Sequence, residues 1–164
     1  MTSRRPPIDY IERTRARYAA QGHAAYRWVE NPDPPPFAPV TKPLRDSRLT
    51  LIASGGIYRS GQVAFHYRDD VSFRMIESDV PTVELRVTHF AYDLTDARSD
   101  PNVVFPIDTL RTMAVQGRIG SLGPKAYTFM GGIYSARKVR EKLAPALADR
   151  VCEDEVDLAL LVPV

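Results

Sequence analysis

The last eight residues, Asp157-Leu-Ala-Leu-Leu-Val-Pro-Val164, constrain the fold of this 164-residue chain more than any other stretch. An unbroken apolar run of this length suits a strand covered on both faces, as in a parallel sheet, better than a half-solvated antiparallel strand. A parallel strand ordinarily feeds a loop and a crossover helix. In open α/β sheets, ligands and chemistry sit just beyond the carboxyl ends of the strands. The run therefore predicts a core strand whose functional loop would follow Val164.

Other segments supply partners for such a strand. Arg48–Ser54 reads as a first strand ending at Gly55-Gly56, and Ser72–Ile76, Glu84–His89 and Ala126–Met130 read as further short strands. A helix is expected over residues 9 to 21, capped by Asp9 with Glu12 three residues on and stopped by Gly22. A second starts at Pro106, with Asp108 in its first turn, and ends at Gly117. The third runs from about Ser135 to Val151, where Val139, Leu143, Leu147 and Val151 recur every four residues. Pro145 lies inside it and predicts a kink or break near Ala144. Alternating strands and helices point to an α/β fold: a mostly parallel open sheet with flanking helices in Rossmann-like layers, incomplete at its carboxyl end.

Composition allows one domain with a real core, at 44% hydrophobic and 26% charged residues. The organisation expected is an N-terminal helix plus a proline-rich arm over residues 1–45, then an α/β domain over 46–164. The arm, Asn31 to Pro43, is too rich in proline for helix or central strand, and reads as a strap on the protein's own surface or a polyproline segment for a partner. The net charge is only +2 and basic residues form no long run beyond Arg4-Arg5 and the alternating Arg13, Arg15 and Arg17, so nucleic acid is not an expected partner. Met1–Pro7 carries no apolar signal region, and no window approaches the roughly 18 apolar residues of a membrane helix. A cytoplasmic protein without a membrane partner is expected. Cys152 is the sole cysteine, which excludes an internal disulfide or a Cys-x-x-Cys couple within these residues.

Two constellations could carry chemistry. Gly55-Gly-Ile-Tyr58 recurs as Gly131-Gly-Ile-Tyr134, each time directly after a predicted strand. Paired glycines let backbone approach a ligand closely, and their amides can hold a carboxylate, so Gly55, Gly56, Tyr58, Gly131, Gly132 and Tyr134 are candidate substrate-binding residues. In the second copy Ser135 would add the positive end of the long helix. The bland alternative is that two tight turns share a convenient tetrapeptide. Neither copy has the later glycines of a dinucleotide fingerprint or the ending of a P-loop. The second constellation is His89-Phe-Ala-Tyr92-Asp93, where His89 at a strand end could serve as general acid, or as a structural hydrogen-bond donor. His23 and His66 form no metal-binding pair with it, the aspartates at 93, 96 and 100 lack a calcium-loop pattern, and no nucleophile elbow surrounds Ser54 or Ser121; no metal is expected.

Asp69-Asp-Val-Ser-Phe-Arg74, Val87-Thr-His-Phe90, Asp100-Pro-Asn-Val-Val-Phe-Pro-Ile-Asp108, Gly117-Arg-Ile-Gly-Ser121 and Tyr127-Thr-Phe-Met-Gly131 together resemble the selenoprotein B family of glycine, sarcosine, betaine and D-proline reductases. The likeness extends from about Arg48 to Val164, and Asp-Pro-Asn-x-Val-Phe-Pro is its most specific block. In that family the strand matching Asp157–Val164 leads into a motif with selenocysteine, or cysteine in its place, followed closely by another cysteine. The resemblance implies that the redox nucleophile is expected just after Val164, and that the chain is the amino-terminal part of a selenoprotein read only to its selenocysteine codon. It implies reductive cleavage of a carbon–nitrogen bond in an amino acid or N-methylated amino acid, with electrons from thioredoxin-like dithiols and with other reductase subunits as partners. A pyruvoyl group belongs to a partner subunit in some complexes, and no cofactor is expected within this chain. As given, the chain should not turn over, and a sheet ending here should expose apolar surface. The alternative from another class is a noncatalytic subunit that binds a small carboxylate or serves structurally in a complex.

Overall fold

Strand β1, Arg48–Ala53, is buried from its second residue onward and anchors the sheet in the computed structural model, which describes residues 9–25 and 29–164. The remaining strands are β2 (Ile57–Arg59), β3 (Phe73–Glu77), β4 (Leu85–Val87), β5 (Ser121–Leu122), β6 (Lys125–Phe129) and β7 (Leu158–Val162). The helices are α1 (Tyr10–Ala20), α2 (Thr95–Ser99), α3 (Ile107–Val115), α4 (Ala136–Lys138) and α5 (Ala144–Glu153). The chain divides into two units, Met1–Phe37 and Ala38–Val164. In the first, α1 begins as its cap residue dictates, with Asp9 Oδ1 accepting from the Glu12 amide at 3.0 Å, and Gly22 follows at φ +75°. The reading of Met1–Pro7 lies outside the described residues.

The second unit is a mostly parallel sheet between helical layers. β1 runs parallel to β5 and then β6 on one flank and to β7 on the other, while β3 lies antiparallel on β6. At the gap between β5 and β6, the buried Thr50 hydroxyl donates to the Lys125 carbonyl at 2.9 Å. Alternation along β1 divides the core. Leu49, Leu51 and Ala53 join Ile57, Ile76, Phe105, Ile107 and Leu110 on one face, and Ile52 joins Tyr127 and Leu147 on the other. The three-layer arrangement agrees with the pattern in the sequence.

Pro145 does not break the long helix. The turn Val139–Leu143 between α4 and α5 widens to π form, and Pro145 falls in the first turn of α5, where a missing N–H is tolerated. Tyr127 ties α5 to the sheet by donating to the Arg150 carbonyl at 2.9 Å and to Asp154 Oδ2 at 2.7 Å. Burial and the Asp154 carboxylate push its pKa up, so the phenol keeps its proton.

β7 meets the expectation of exposed apolar surface and departs from that of a strand covered on both faces. It pairs with β1 from Leu49↔Leu158 to Ala53↔Val162, as a parallel strand should. It is nevertheless an edge strand: among the described residues nothing pairs its outer edge, and Leu160, Leu161 and Val164 are exposed. Only Leu158 and Val162 of this strand pack on the core cluster. An uninterrupted apolar run does not distinguish a covered strand from an uncovered edge. The end of the proline arm lies at its start, where Lys42 Nζ meets Asp157 Oδ1 at 2.7 Å and the Arg48 amide donates to Asp157 Oδ2 at 2.9 Å. No helix of the described residues is long and apolar enough to cross a membrane.

The chain leaves β1 through Gly56, at φ +72°, and returns in β2, which pairs antiparallel with β4. A Cβ on Gly56 would sit 2.0 Å from the Thr88 carbonyl oxygen, whereas one on Gly61, at φ +94°, would meet nothing within 4 Å. Gly61→Ala is therefore expected to cost only the left-handed penalty, about 1–2 kcal/mol. Gly56→Ala must also push β4 away and should cost more than about 3 kcal/mol, at the far end of the point-mutation range. Urea unfolding of the two variants measures the difference, and equal losses would contradict the close approach.

Candidate functional site

Both Gly-Gly segments follow strands that point the same way, so the parallel pairing of β1 and β6 brings them side by side. The Gly131 amide donates to the Ser54 carbonyl at 2.8 Å, the Gly56 amide donates to the Phe129 carbonyl at 2.9 Å, and Gly55 bridges Met130. The buried Thr128 hydroxyl accepts from the Ile57 amide at 3.1 Å, which fixes where the chain reverses. The end of β7 joins the same place. Ser54 N–H donates to the Val162 carbonyl at 3.1 Å and the Val164 amide donates to Ser54 Oγ at 2.9 Å. A side chain on Gly55 would meet Val104 Cβ at 2.9 Å and Val164 Cγ2 at 3.4 Å, so glycine is needed for this convergence.

His89 enters from β4. The register that pairs Ile57 with Val87 continues through the Thr88 amide, which donates to the Gly56 carbonyl at 2.9 Å, and delivers His89 beside the turn. Its side chain is 8% exposed. Nδ1 accepts from the Ala91 amide at 3.0 Å, which assigns the ring proton to Nε2, and Nε2 is buried with no well-formed hydrogen bond. Burial lowers the His89 pKa, with the Ser54 carbonyl opposing, so the ring is held neutral. Tyr92, with its ring centroid 4.8 Å from that of His89, donates its hydroxyl to the Gly55 carbonyl at 2.8 Å. Burial raises its pKa.

The second turn carries an anion already. Asp69, at φ +46°, accepts from the Tyr134 amide at 2.7 Å and the Ser135 amide at 3.3 Å, and lies 3.8 Å from Lys138 Nζ. A carboxylate does sit at this turn, and it is the protein's own. Next to it, a Cβ on Gly132 would fall 2.3 Å from the Phe90 ring, so Phe90 fits there only over glycine.

Gly55, Gly56, Gly131, Gly132 and His89 thus meet at one edge of the sheet, with Tyr134 beside them. Tyr58 is directed elsewhere: its ring meets Phe65 edge-on at 6.4 Å, and it lines an open cleft of about 360 Å³ with Leu85, Arg86 and Arg98. The Asp100-to-Asp108 block builds architecture. Asp100 accepts from the Asn102 amide at 2.9 Å, the Asn102 side chain caps α3 by accepting from the Asp108 amide at 3.0 Å, and Arg111 binds Asp108 and the Ser78 and Val80 carbonyls. Cys152 is exposed on α5, away from the core. Sequence reasoning missed Asp69, Phe90 and the Ser54 hydroxyl. Nothing local marks Phe90 or Asp69, because both reach the second turn from segments distant in the sequence.

The chain matches the family described as glycine/sarcosine/betaine reductase selenoprotein B over residues 28–163. It is 38% identical over 128 residues to D-proline reductase subunit gamma of Acetoanaerobium sticklandii, covering 78% of this chain and 53% of that protein. It is 31% identical over 132 residues to glycine reductase complex component B subunit gamma of Symbiobacterium thermophilum, covering 77% of this chain and 30% of that protein. The same-named subunit of Carboxydothermus hydrogenoformans is 28% identical over 131 residues, with 77% and 30% covered. The chain thus spans about half the length of the first relative and under a third of the others. No solved structure matches it.

A histidine whose folded pKa is depressed destabilises the native state on acidification. As pH falls from about 6.5 towards the lower folded value, the unfolded chain binds a proton that the native chain does not, and the unfolding free energy drops. In His89→Asn this part of the pH slope should vanish. Chemical denaturation of both proteins between pH 7 and 5 tests it, and identical slopes would remove the neutral, buried His89 from the picture.

Proposed function

The chain belongs to the glycine/sarcosine/betaine reductase selenoprotein B family, and from that premise we propose that it forms the substrate-side α/β layer of a subunit that reductively cleaves the carbon–nitrogen bond of an amino acid or N-methylated amino acid. The observation that carries the reading is the meeting of both Gly-Gly turns, His89 and the end of β7 at the carboxyl edge of a parallel sheet, where such folds bind their ligands.

On the resemblance, the redox group is a selenocysteine or cysteine placed just beyond Val164, and it would supply a nucleophile at the carbon that loses the amine. The residues present fit such a neighbour. Ser54 Oγ holds the Val164 amide, and Val164 leans on Gly55, so polypeptide continuing β7 is delivered beside His89 and Tyr92. His89 holds a proton on Nε2 and is neutral at physiological pH. Its role is therefore hydrogen-bond donation to the departing nitrogen, since full proton transfer would need the imidazolium that burial disfavours. Tyr92 fixes the Gly55 carbonyl, and the missing side chains of Gly55 and Gly131 let Val104, Val164 and Ser54 pack against the backbone there. Electrons would come from a thioredoxin-like dithiol in the cytoplasm. A pyruvoyl group, where one is used, would sit in a partner subunit.

The test uses the complete gene product with its companion subunits, assayed for dithiol-dependent amine release from glycine, sarcosine and betaine and for ring opening of D-proline. Turnover of at least one is expected, with His89→Asn lowering kcat/KM about a hundredfold or more. Binding of a carboxylate with no turnover of any of the four would favour the noncatalytic alternative. Reading the gene past the Val164 codon checks the nucleophile: an in-frame selenocysteine or cysteine codon is expected there, and its absence would overturn the placement.

A further inference from the structure

Tyr58 turns away from the glycine turns and towards a second cleft. In the β2–β4 ladder it pairs with Arg86, which puts the two side chains next to each other on one face. β4 has no other strand partner among the described residues, and α2 packs beside it with Ala97 buried. The open cleft of about 360 Å³ is lined by Tyr58, Leu85, Arg86, Val87, Ala97 and Arg98.

Charge in this cleft is one-sided, because its lining residues include two arginines and no acid. Arg86 Nη1 donates to the Val83 and Leu85 carbonyls, both at 2.8 Å, which holds the guanidinium in place and leaves its charge without an acidic partner. Arg98 has no hydrogen-bonded or ion-paired partner among the described residues. The Asp93 carboxylate, which feels its charge, spends its hydrogen bonds on the Thr95 amide and hydroxyl. Glu84 is taken by Arg59 at 2.7 Å, Glu77 by Lys125 at 2.9 Å, and Asp96 of α2 does not line the cleft. The Tyr58 hydroxyl likewise has no partner among the described residues and is free to donate. The larger open cleft, about 470 Å³, is the contrast: there Asp100 and Asp108 stand beside Arg118.

A guanidinium binds a carboxylate through paired N–H donors, so two of them on separate elements suit two carboxylates. The remaining lining residues, Leu85, Val87 and Ala97, are apolar. The volume lies at the small end of ligand clefts, about 300–1,000 Å³, and suits a short carbon skeleton better than a bare ion. We propose that this cleft binds a small organic dianion, a short dicarboxylate whose two ends meet Arg86 and Arg98 and one of whose oxygens accepts from the Tyr58 hydroxyl. The site is separate from the glycine turns and does not depend on the reductase reading.

Glutarate, its monomethyl ester and inorganic phosphate separate charge from skeleton. Each is titrated into the chain at low ionic strength while the Tyr58 ring and the Arg86 and Arg98 side-chain signals are followed by NMR. Glutarate should shift all three and bind more tightly than the other two probes. Arg98→Gln, at an exposed position, should weaken glutarate about 3- to 30-fold, and Arg98→Lys should recover part of the loss. Added salt should weaken glutarate binding more in the unaltered chain than in Arg98→Gln. Equal affinity for glutarate and its ester, phosphate binding as tightly as glutarate, or unchanged glutarate binding in Arg98→Gln would each overturn the proposal. An unmoved Tyr58 ring would overturn it too, and shifts at His89 and Tyr134 in its place would seat the carboxylate at the glycine turns.

Discussion

β1 carries parallel partners on both flanks, and the position of every candidate group follows from that. With β6 bonded on one side and β7 on the other, the ends of three strands arrive together, and the chain leaving β1 has no free edge to follow. It reverses through Gly55 and Gly56 into β2, and the Thr128 hydroxyl catches the Ile57 amide as it does so. The reversal in turn sets the register of β2 against β4, and hence the place where β4 delivers His89. A change at Gly56 therefore acts on His89 through the backbone ladder rather than through contact with a ligand. A buried serine, Ser47, and a buried threonine, Thr50, are tolerated because each hydroxyl has a carbonyl to donate to: Pro43 in the turn before β1 for the first, and Lys125 of β6 for the second.

Much of this was legible in the sequence where local chemistry is strong. Asp9 as cap, Gly22 and Gly117 as stops, and the four-residue spacing of Leu143, Leu147 and Val151 each specify their element without tertiary help. The parallel nature of Leu158–Val162 was readable from its apolar run, because the burial of β1 between two partners demands apolar neighbours. Its lack of cover was expected only from the family resemblance and not from the run itself, since periodicity reports what a strand is made of and not what lies beside it. The short strands β2 and β5 escaped for the related reason that two or three residues carry no period. Pro145 shows the limit of a local rule: the proline penalty is real, yet one widened turn absorbs it and keeps Leu147 and Val151 on the sheet.

Motif specificity and chemical role part company in this fold. Asp-Pro-Asn-Val-Val-Phe-Pro is the most distinctive block of the chain, and its polar atoms are spent inward, on capping α3 and holding Arg111 against the Ser78 and Val80 carbonyls. Phe105 and Ile107 from the same block are fully buried. Such a block is restrictive because Asp100 and Asn102 satisfy backbone amides while Val104 and Phe105 fill the core, which is a demand of folding. The Gly-Gly repeats are weaker as motifs yet stand at the site, because a glycine is defined there by what its neighbours leave no room for.

Asp69 decides how the second repeat can act. A helix start with free amides and a glycine turn would attract any small anion. Here a residue in the left-handed region, distant in sequence, supplies a carboxylate to the Tyr134 and Ser135 amides and pairs with Lys138. Aspartate tolerates that backbone conformation better than most residues, and the hydrogen bonds it forms offset the remaining strain. An incoming carboxylate would have to displace a tethered one that has no translational entropy to lose, so the internal anion wins unless its loop is moved. The turn is therefore an ordered, electrostatically satisfied support. Gly132 seats the Phe90 ring, and Asp69 fixes the backbone at Tyr134.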